Sequence, residues 1–371
     1  MNSLPDYVKP TSFHKALYPH QEKWNAINPF QNMEMVESIY KELILKSEHS
    51  FFNSWEWVYS WLTMLPKDSH VEFIVHYDDK GDKYIACYFL GTRYFSKFGL
   101  TKRKGYLNNT GNMEFDKVTV EYNRPLVIKE YQDKISDFLL IWESFDDIVI
   151  PVTDLKIAGS SRFYRNEYKH PLFLVDLERI RDSKSDYLSF VSKNKRQQIK
   201  RSLKAYGDIK ITTSRTKEEA KEWLIALSEL HQAEWIKRGE KGAFSDSYFI
   251  NFHTSLINNA FDKGNIQICK IYNSKSVIGY IYNFISNNEI LFYQSGFKYE
   301  DDNKLRPGLV SHYLAIELNK EFGMKAYNFL AGYSKYKESL STDMEYLFTY
   351  TMTKKNFKSK IEKLIKNIIG K

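Results

Sequence analysis

The spacing of apolar and polar residues divides the chain into short strands and amphipathic helices. Apolar runs at 279–285 and 289–294 predict two strands, and a basic turn containing Pro and Gly follows at 304–308. Apolar residues then recur at helical spacing up to Gly323, and a further strand-like run covers 325–330. A strand, a basic turn and a helix N-terminus present free backbone N–H groups and a helix dipole to an anion. This segment therefore predicts a phosphate or pyrophosphate site, and its order of elements suits a coenzyme A acyltransferase.

A second pattern is a repeat of hairpins along the chain. Strand-like runs at 71–77 and 84–90 flank a polar turn, and runs at 266–272 and 277–283 do the same. Each hairpin follows an aromatic helix candidate, so the chain reads as a tandem duplication. The predicted fold is α/β (α+β), with two similar domains that each contain a mixed, mostly antiparallel sheet flanked by helices.

The two predicted domains differ in one respect. We place the N-terminal domain at residues 1–165 and the C-terminal domain at 166–371, with a linker at 160–165. The basic segment 101–105 of the first domain leads into a loop rich in Gly and Asn, with no Pro-Gly helix start. We therefore expect only the C-terminal domain to keep a phosphate loop.

Composition narrows the class of protein. The chain has 371 residues, of which 43% are hydrophobic and 16% aromatic, enough for two packed cores. Its net charge of +8 permits anionic partners without identifying one. The longest apolar runs fall far short of the roughly 20 residues that span a bilayer, and residues 1–10 lack the apolar core of a signal peptide. We expect a soluble, cytoplasmic protein.

The two cysteines, Cys87 and Cys269, each lie inside an apolar, strand-like run. Neither belongs to a CxxC or Cys/His pattern of the kind that binds metal. The sequence therefore predicts buried structural thiols, no disulfide and no metal site.

A strongly basic helix is predicted between Ser192 and Gly207. The cations that make it strongly basic include Lys193, Lys195, Arg196, Lys200 and Arg201. They can form a solvated or packing face, or they can contact phosphate or nucleic acid. Aromatic residues do not alternate with these cations, so the pattern does not favour RNA recognition.

The C-terminal segment 354–371 combines many lysines with an apolar stripe. The stripe contains Phe357, Ile361, Leu364 and Ile368. Such a helix can pack on the protein body, or it can lie on the inner face of the membrane as a peripheral contact.

Five segments carry a resemblance to a known family. They resemble the GNAT acyltransferases of the cellulose-biosynthesis (CelD/BcsL) type at 192–207, 230–239, 295–297, 306–308 and 329–337. That group is similar in turn to the Fem aminoacyltransferases of peptidoglycan synthesis, which also carry two GNAT-like halves. The resemblance covers nearly the whole chain and is most specific over 172–340. It implies two GNAT-like domains and acyl transfer, with acetyl-CoA or another acyl-CoA as the donor substrate and no metal.

The donor site implied by this resemblance is the start of the helix after the basic turn. Its residues are Arg306, Pro307, Gly308, Leu309, Val310 and Ser311, with Arg306 adding charge toward a pyrophosphate. An ordinary helix cap is the alternative, because Pro and Gly are common near helix starts. The turn has fewer glycines than the common GNAT phosphate loop, and Fem enzymes use aminoacyl-tRNA, so tRNA is the one nucleic acid to consider. The chain lacks a helical hairpin of heptad character, which favours coenzyme A.

Acyl transfer from a thioester needs a base for the acceptor and a proton donor for the leaving thiolate. GNAT enzymes often use a tyrosine beyond the strand that follows the phosphate helix, and Tyr336 matches that position, with Tyr333 as its competitor. Glu234 and His231 are candidates for the base, although either could instead cap the helix or pair with a neighbouring arginine.

We expect Trp235, Arg238 and Lys337 to line the acceptor pocket, where a sugar can stack on the indole and an anionic group can pair with the cations. The predicted function is an acyl-CoA-dependent N- or O-acyltransferase, in the first place an acetyltransferase. The predicted acceptor is a small molecule or saccharide, namely a cell-envelope or exopolysaccharide precursor. The alternatives are a Fem-like aminoacyltransferase and a non-catalytic GNAT-fold binding protein.

Overall fold

A computed structural model describes residues 24–78, 80–97, 99–139 and 144–361. The chain forms two compact units. Unit 1 comprises the described residues within Met1–Trp55, Leu65–Lys169 and Phe348–Lys371, and unit 2 comprises Glu56–Met64 and His170–Leu347.

Strands and helices alternate along the described chain. The strands are β1 (Trp24–Ile27), β2 (Val71–Tyr77), β3 (Tyr84–Lys97), β4 (Leu100–Leu107), β5 (Leu126–Val127), β6 (Asp147–Thr153), β7 (Phe163–Asp176), β8 (Lys210–Thr213), β9 (Ile266–Tyr272), β10 (Val277–Ser286), β11 (Glu289–Phe297), β12 (Ala326–Ala331) and β13 (Asp343–Lys354). The α-helices are α1 (Met33–Ile44), α2 (Trp55–Met64), α3 (Ile135–Leu139), α4 (Leu177–Asp182), α5 (Lys193–Tyr206), α6 (Lys217–Lys237), α7 (Ser247–Ala260), α8 (Pro307–Glu321) and α9 (Lys335–Leu340).

The sheet of unit 2 has the strand order β7-β12-β11-β10-β9-β8. All neighbours are antiparallel except β11 and β12, which are parallel because α8 crosses over between them. Helix α8 packs over an apolar face that includes Ile281, Ile290 and Phe292. On the opposite face, α7 packs its His253 against Tyr282.

The sheet of unit 1 repeats this plan. Its order is β1-β2-β3-β4-β6-β13, with β5 beside β3, and β4 and β6 form the single parallel pair within this order. Between β4 and β6 the described chain has a short 3-10 helix, Lys129–Lys134, and the five-residue α3 in place of a helix like α8. The predicted α/β class with mixed, mostly antiparallel sheets flanked by helices is confirmed.

The compact units divide the chain differently from the predicted boundary. Residues 165 and 166 both lie inside β7, and the predicted linker at 160–165 is a strand from Phe163 onward. Residues 348–354 belong to unit 1 because β13 forms a ladder with β6 from Phe348↔Thr153 to Thr353↔Asp147. The second half of β13, near the end of the described chain, thus belongs to unit 1.

The helix boundaries follow local signals in the sequence. Ser192 accepts a hydrogen bond from the Lys195 N–H at the start of α5, and Thr216 accepts one from the Glu219 N–H at the start of α6. Gly207, with φ of 74°, follows the end of α5 and stops it there. Because these signals are local, the predicted bounds of the basic helix between Ser192 and Gly207 are confirmed.

Both cysteines are fully buried free thiols, as predicted. Residues 357–361 are helical, and Phe357 is exposed. Leu364 and Ile368 lie outside the described residues, so packing and membrane contact both remain predictions for the C-terminal segment. Within the described ranges, no helix is long and apolar enough to cross a membrane.

Candidate active site at the fork between β11 and β12

The parallel strands β11 and β12 separate after three residue pairs. Within the described chain their ladder runs from Glu289↔Ala326 to Leu291↔Asn328. Beyond that point, β11 stays with β10 as far as Phe297, and β12 stays with β7. Two strands that follow different partners must diverge, so a fork opens in the sheet of unit 2.

A β-bulge in β12 accompanies the divergence. Asn328 faces Leu174 and Ala331 faces Leu172, so β12 holds one more residue than β7 in this interval. The extra residue is accommodated by Leu330, which has φ of 61°, in the left-handed region that a leucine rarely adopts. The Asn328 side chain accepts a hydrogen bond from the Leu330 N–H at 2.9 Å, which stabilises this conformation.

Aromatic rings fill the α8 side of the fork. Phe292 and Phe329 are the first residues of the two strands beyond their last pair, and their ring centroids are 6.2 Å apart. His312 of α8 contacts both rings, at 4.6 and 5.3 Å. All three side chains are buried. The fork is therefore a packed aromatic site rather than an open channel.

His312 is held neutral in this cluster. Its Nδ1 lies 3.1 Å from the Tyr327 hydroxyl, at hydrogen-bonding distance. Burial, followed by the charge of Lys337, lowers the pKa of His312 to about 3. The imidazole therefore carries no charge at physiological pH and packs as an aromatic ring.

Tyr336 lies at the mouth of the fork. Its ring stacks on His312 with centroids 5.4 Å apart and planes inclined by 18°, and the residue keeps 40% of its surface exposed. Burial of the phenol, and then the neighbouring Tyr299, raise its pKa well above the ordinary value. The predicted competitor Tyr333 is 63% exposed, and its hydroxyl donates to Glu338 at 3.1 Å. Of the two tyrosines, Tyr336 is the one in contact with the aromatic cluster.

Helix α8 begins at Pro307, directly beside the fork. The Arg306 side chain does not cap the helix, and the Arg306 carbonyl accepts from the N–H groups of Leu309 and Val310. Pro at the first helical position suits this geometry because its missing N–H would have no helical partner. A Cβ atom on Gly308 would lie 3.3 Å from the Phe297 ring, so a larger side chain would crowd the helix start.

The predicted donor residues divide into two groups. Arg306 is exposed, and Gly308 and Leu309 are partly exposed at the start of α8. Val310 and Ser311 are fully buried, and so their side chains face the core rather than solvent. Any role of these two in holding phosphate is limited to their backbone.

A pair of cations joins α5 to the start of α8. The Arg306 guanidinium donates to the Gln198 side chain at 3.0 Å, and its backbone N–H donates to Ser202 at 3.0 Å. Burial, followed by the charge of Arg306, lowers the pKa of Lys195. Two neighbouring cations with mutual repulsion favour an anion between them. The N-terminal half of α5 therefore lies beside the start of α8, and contact of its cations with phosphate stays a prediction.

The candidate bases lie on the last turns of α6, next to the end of β11. A Cβ atom on Gly296 would meet the Leu227 carbonyl at 2.1 Å, so glycine allows α6 to approach the strand this closely. His231 is 7% exposed, and burial lowers its pKa. Glu234 accepts two hydrogen bonds from the Arg238 guanidinium, at 2.7 and 2.8 Å. His231 thus has a lowered pKa, whereas Glu234 is already paired with Arg238.

Tyr299 connects the α6 group with Tyr336. Burial raises the pKa of Tyr299. The charge of Arg238 and its side-chain hydrogen bond to Tyr299 lower that pKa. Glu234, Arg238, Tyr299 and Tyr336 therefore form one electrostatically coupled group in unit 2. The structure brings together most residues that the sequence singled out.

Two predicted acceptor residues have different surroundings. Trp235 is half-buried, and the Arg238 guanidinium lies 5.8 Å from its ring centroid. Lys337 donates to the carbonyls of Leu330 and Ala331 at 3.3 and 3.1 Å. The Lys337 ammonium thus stabilises the bulged end of β12, next to the fork.

Sequence reasoning did not assign roles to three residues of this site. His312 occupies an apolar position in the pattern of α8 and reads there as core. Tyr299 lies two residues beyond the 295–297 segment, and Lys195 is one cation among six in α5. Only their contacts across elements distinguish them. Within the described ranges, no group of three His, Cys, Asp or Glu side chains is placed to hold a metal ion.

Comparison with known families supports an acyl-transfer role for this geometry. A family model described as an acetyltransferase (GNAT) domain matches residues 191–338, less than half of the chain. Residues 191–338 form a GNAT acetyltransferase domain. The match contains α5, the fork, α8 and Tyr336. The chain is therefore a GNAT-fold acyltransferase, as predicted, and since unit 1 repeats the strand plan of unit 2, the fold is tandem GNAT-like. The CelD/BcsL type stays a prediction.

Several solved structures are similar to this chain at low sequence identity. The crystal structure of FemX is similar with a TM-score of 0.55 and 10% identity, over 91% of this chain and 98% of FemX. A tandem GNAT protein from the clavulanic acid biosynthesis pathway has a TM-score of 0.44 and 11% identity, over 88% and 97% of the two chains. N-myristoyltransferase of Saccharomyces cerevisiae with bound myristoyl-CoA has a TM-score of 0.44 and 14% identity, over 90% and 83%. No curated protein matches the sequence.

Proposed function

We propose that the chain is an acyl-CoA-dependent N- or O-acyltransferase that uses acetyl-CoA as its donor. The observation that carries the proposal is the fork between β11 and β12, which lies beside the start of α8 and the phenol of Tyr336. A thioester at the mouth of the fork would have its phosphates toward Arg306 and Lys195 and its sulfur toward Tyr336. Positioning of this kind supplies a large part of the rate enhancement in acyl transfer.

The reaction forms a bond between the acceptor nitrogen or oxygen and the thioester carbonyl carbon, and it breaks the bond from that carbon to sulfur. His231, neutral because of its lowered pKa, or Glu234 takes the acceptor proton, directly or through water. The raised pKa of Tyr336 keeps its phenol protonated. A free thiol has a pKa of about 8.5, so the phenol acts first as a hydrogen-bond donor to the departing sulfur.

The packing of the fork supports a short acyl group. The rings of Phe292, Phe329 and His312 occupy the α8 side directly beyond the last strand pair. A long acyl chain would have to displace these buried rings, whereas an acetyl methyl group needs little room. The proposed donor is therefore acetyl-CoA, although GNAT-fold enzymes as a class use several acyl-CoA donors.

For the acceptor we propose a saccharide-type precursor of the cell envelope or of an exopolysaccharide. The half-buried Trp235 offers a ring face for a sugar, and Arg238 beside it offers a cation for an anionic substituent. We place the protein in the cytoplasm, where acyl-CoA is available, with contact to the inner face of the membrane through the basic C-terminal segment.

A Fem-like aminoacyltransferase that uses aminoacyl-tRNA is the second candidate, and the likeness of the fold to FemX favours it. Donor binding distinguishes the two. Acetyl-CoA at a hundredfold excess over its dissociation constant should stabilise the protein by about 2.7 kcal/mol, and Gly308→Val should remove this effect by crowding the start of α8. The melting temperature of Gly308→Val without ligand is the folding control. Stabilisation by coenzyme A that persists in Gly308→Val would place the donor elsewhere, and transfer that depends on aminoacyl-tRNA would establish the alternative.

A further inference from the structure

Unit 1 contains a cavity that the acyl-transfer site does not use. The cavity has a volume of about 460 Å³ and lies where β4 and β6 begin and β13 ends. Pockets of roughly 300–1,000 Å³ are typical of small-molecule sites. Its lining includes Arg103, Phe145, Asp146, Lys354, Asn356 and Lys358.

The lining has an excess of positive charge. Three cations, Arg103, Lys354 and Lys358, face the cavity with one carboxylate, that of Asp146. Beside the cavity, Lys102 and Lys104 both lie near the carboxylate of Asp147, at 3.7 and 3.2 Å. The local field therefore favours an anion.

Asp146 forms hydrogen bonds that hold the surrounding polar groups in position. One of its carboxylate oxygens accepts from the Arg103 N–H at 3.0 Å and from the Lys358 ammonium at 3.1 Å, and the other accepts from Asn356 at 3.1 Å. Burial alone would raise the pKa of Asp146, but these donors lower it overall. The carboxylate is thus ionised, and it fixes groups from β4 and from the C-terminal segment around one cavity.

Arg103 is pre-organised for an oxyanion. The residue is 9% exposed, and the Cζ atom of its guanidinium lies 4.0 Å from the centroid of the Phe145 ring. Its Nη1 donates to the Ser144 hydroxyl at 3.1 Å. A guanidinium that is held by such contacts loses little entropy when it binds a phosphate oxygen.

We propose that this cavity binds a phosphate group, with Arg103 as its main ligand and Lys358 and Lys354 as supporting cations. The phosphate can belong to a soluble phosphate ester or to a phospholipid headgroup, since both present the same oxygens. Every lining residue lies in unit 1, so the site is separate from the donor site of unit 2.

Binding of sn-glycerol 3-phosphate to the full-length chain, measured by isothermal titration calorimetry, tests the proposal. Arg103→Gln removes the guanidinium charge of Arg103. Lys358→Gln removes an ammonium charge that is partly exposed, and it is therefore a second, milder variant. Lys355→Gln is the matched control: Lys355 is adjacent to Lys354 and has the same charge, but its ammonium faces the Ser160 carbonyl. We expect Arg103→Gln to weaken binding about tenfold or more and Lys358→Gln to weaken it less, with Lys355→Gln unchanged.

A second experiment identifies whether the phosphate belongs to a soluble ester or to a lipid headgroup. Sedimentation with phosphatidylcholine vesicles, with and without phosphatidylglycerol, measures headgroup binding by the same variants. Binding to phosphatidylglycerol vesicles that Arg103→Gln abolishes, without binding of the soluble ester, would assign the site to a lipid. Absence of binding to either probe would overturn the proposal, and so would equal losses in Arg103→Gln and Lys355→Gln, because these would indicate diffuse surface charge. Gly308→Val should bind glycerol 3-phosphate normally, which separates this proposal from the donor site.

Discussion

The phenol of Tyr336 stacks on the imidazole of His312, with ring centroids 5.4 Å apart and planes inclined by 18°. His312 is fixed in turn by Phe292 and by the hydroxyl of Tyr327. The stack holds the Tyr336 ring at the mouth of the fork without using the Tyr336 hydroxyl. Ring position and hydroxyl chemistry can therefore be separated by mutation.

Tyr336→Phe keeps the ring on His312 and removes the proposed donor to the leaving sulfur. We expect kcat to fall by about 10² to 10⁴, while the dissociation constant of acetyl-CoA changes little. Single-turnover kinetics with a saturating acceptor measure both constants. Tyr333→Phe is the control, because the Tyr333 hydroxyl pairs with Glu338 at the surface. Equal losses from the two variants, or a Tyr336→Phe effect confined to donor binding, would contradict the assigned role.

Lys195→Gln tests the contribution of α5 to donor binding. The lowered pKa of Lys195 reflects burial and repulsion by Arg306, and an anion between the two cations would relieve that repulsion. We expect the dissociation constant of acetyl-CoA, measured by calorimetry at fixed salt, to rise roughly tenfold. Lys193→Gln removes an exposed charge from the same helix and should have little effect. If both variants weaken binding alike, only the general charge of α5 is involved.

Phe329→Leu tests the proposed limit on acyl length. The shorter side chain should open the fork beside His312 while the core remains apolar. We expect the ratio of kcat/KM for butyryl-CoA to that for acetyl-CoA to increase about tenfold, the effect of one or two methylene groups in a pocket. Phe252→Leu, at a buried position of α7 that packs against Trp57, is the control. A wild-type enzyme that already prefers butyryl-CoA would refute the limit.

Two buried histidines of unit 2 should make the protein sensitive to acid. Burial lowers the pKa of His253 to about 3, and the pKa of His312 is also about 3. Below the ordinary pKa of about 6.5, the unfolded chain binds protons that the folded chain does not. The free energy of unfolding should therefore fall as the pH drops from about 6.5 toward 3, by about 1.4 kcal/mol per pH unit for each histidine.

His253→Leu isolates one part of this effect. Neither ring nitrogen of His253 has a hydrogen-bond partner among the described residues, so leucine removes no such bond. Urea unfolding between pH 6.5 and 4.5 should show a slope with pH that is smaller by about 1.4 kcal/mol per unit. The same substitution at the exposed His70 is the control. An unchanged slope in His253→Leu would mean that the imidazole becomes protonated in the folded state.

The elements of this fold follow from local patterns in the sequence. Period-two runs determine the hairpins, Ser192 and Thr216 determine where α5 and α6 begin, and Pro307 determines where α8 begins, because each signal acts within a few residues of the chain. The resemblance to the GNAT family pointed to Tyr336 and Arg306, and their roles stay predictions.

The tertiary structure decided what the local patterns could not. The ladder between β13 and β6 places residues 348–354 in unit 1, although they lie far from β6 in sequence. The bulge at Leu330 accompanies the fork, and interactions between elements place His312 and Tyr299 near Tyr336 and Lys195 near Arg306. Strand pairing, left-handed backbone and pKa shifts depend on neighbours that are distant in sequence, so they follow from the folded chain and not from any segment of it.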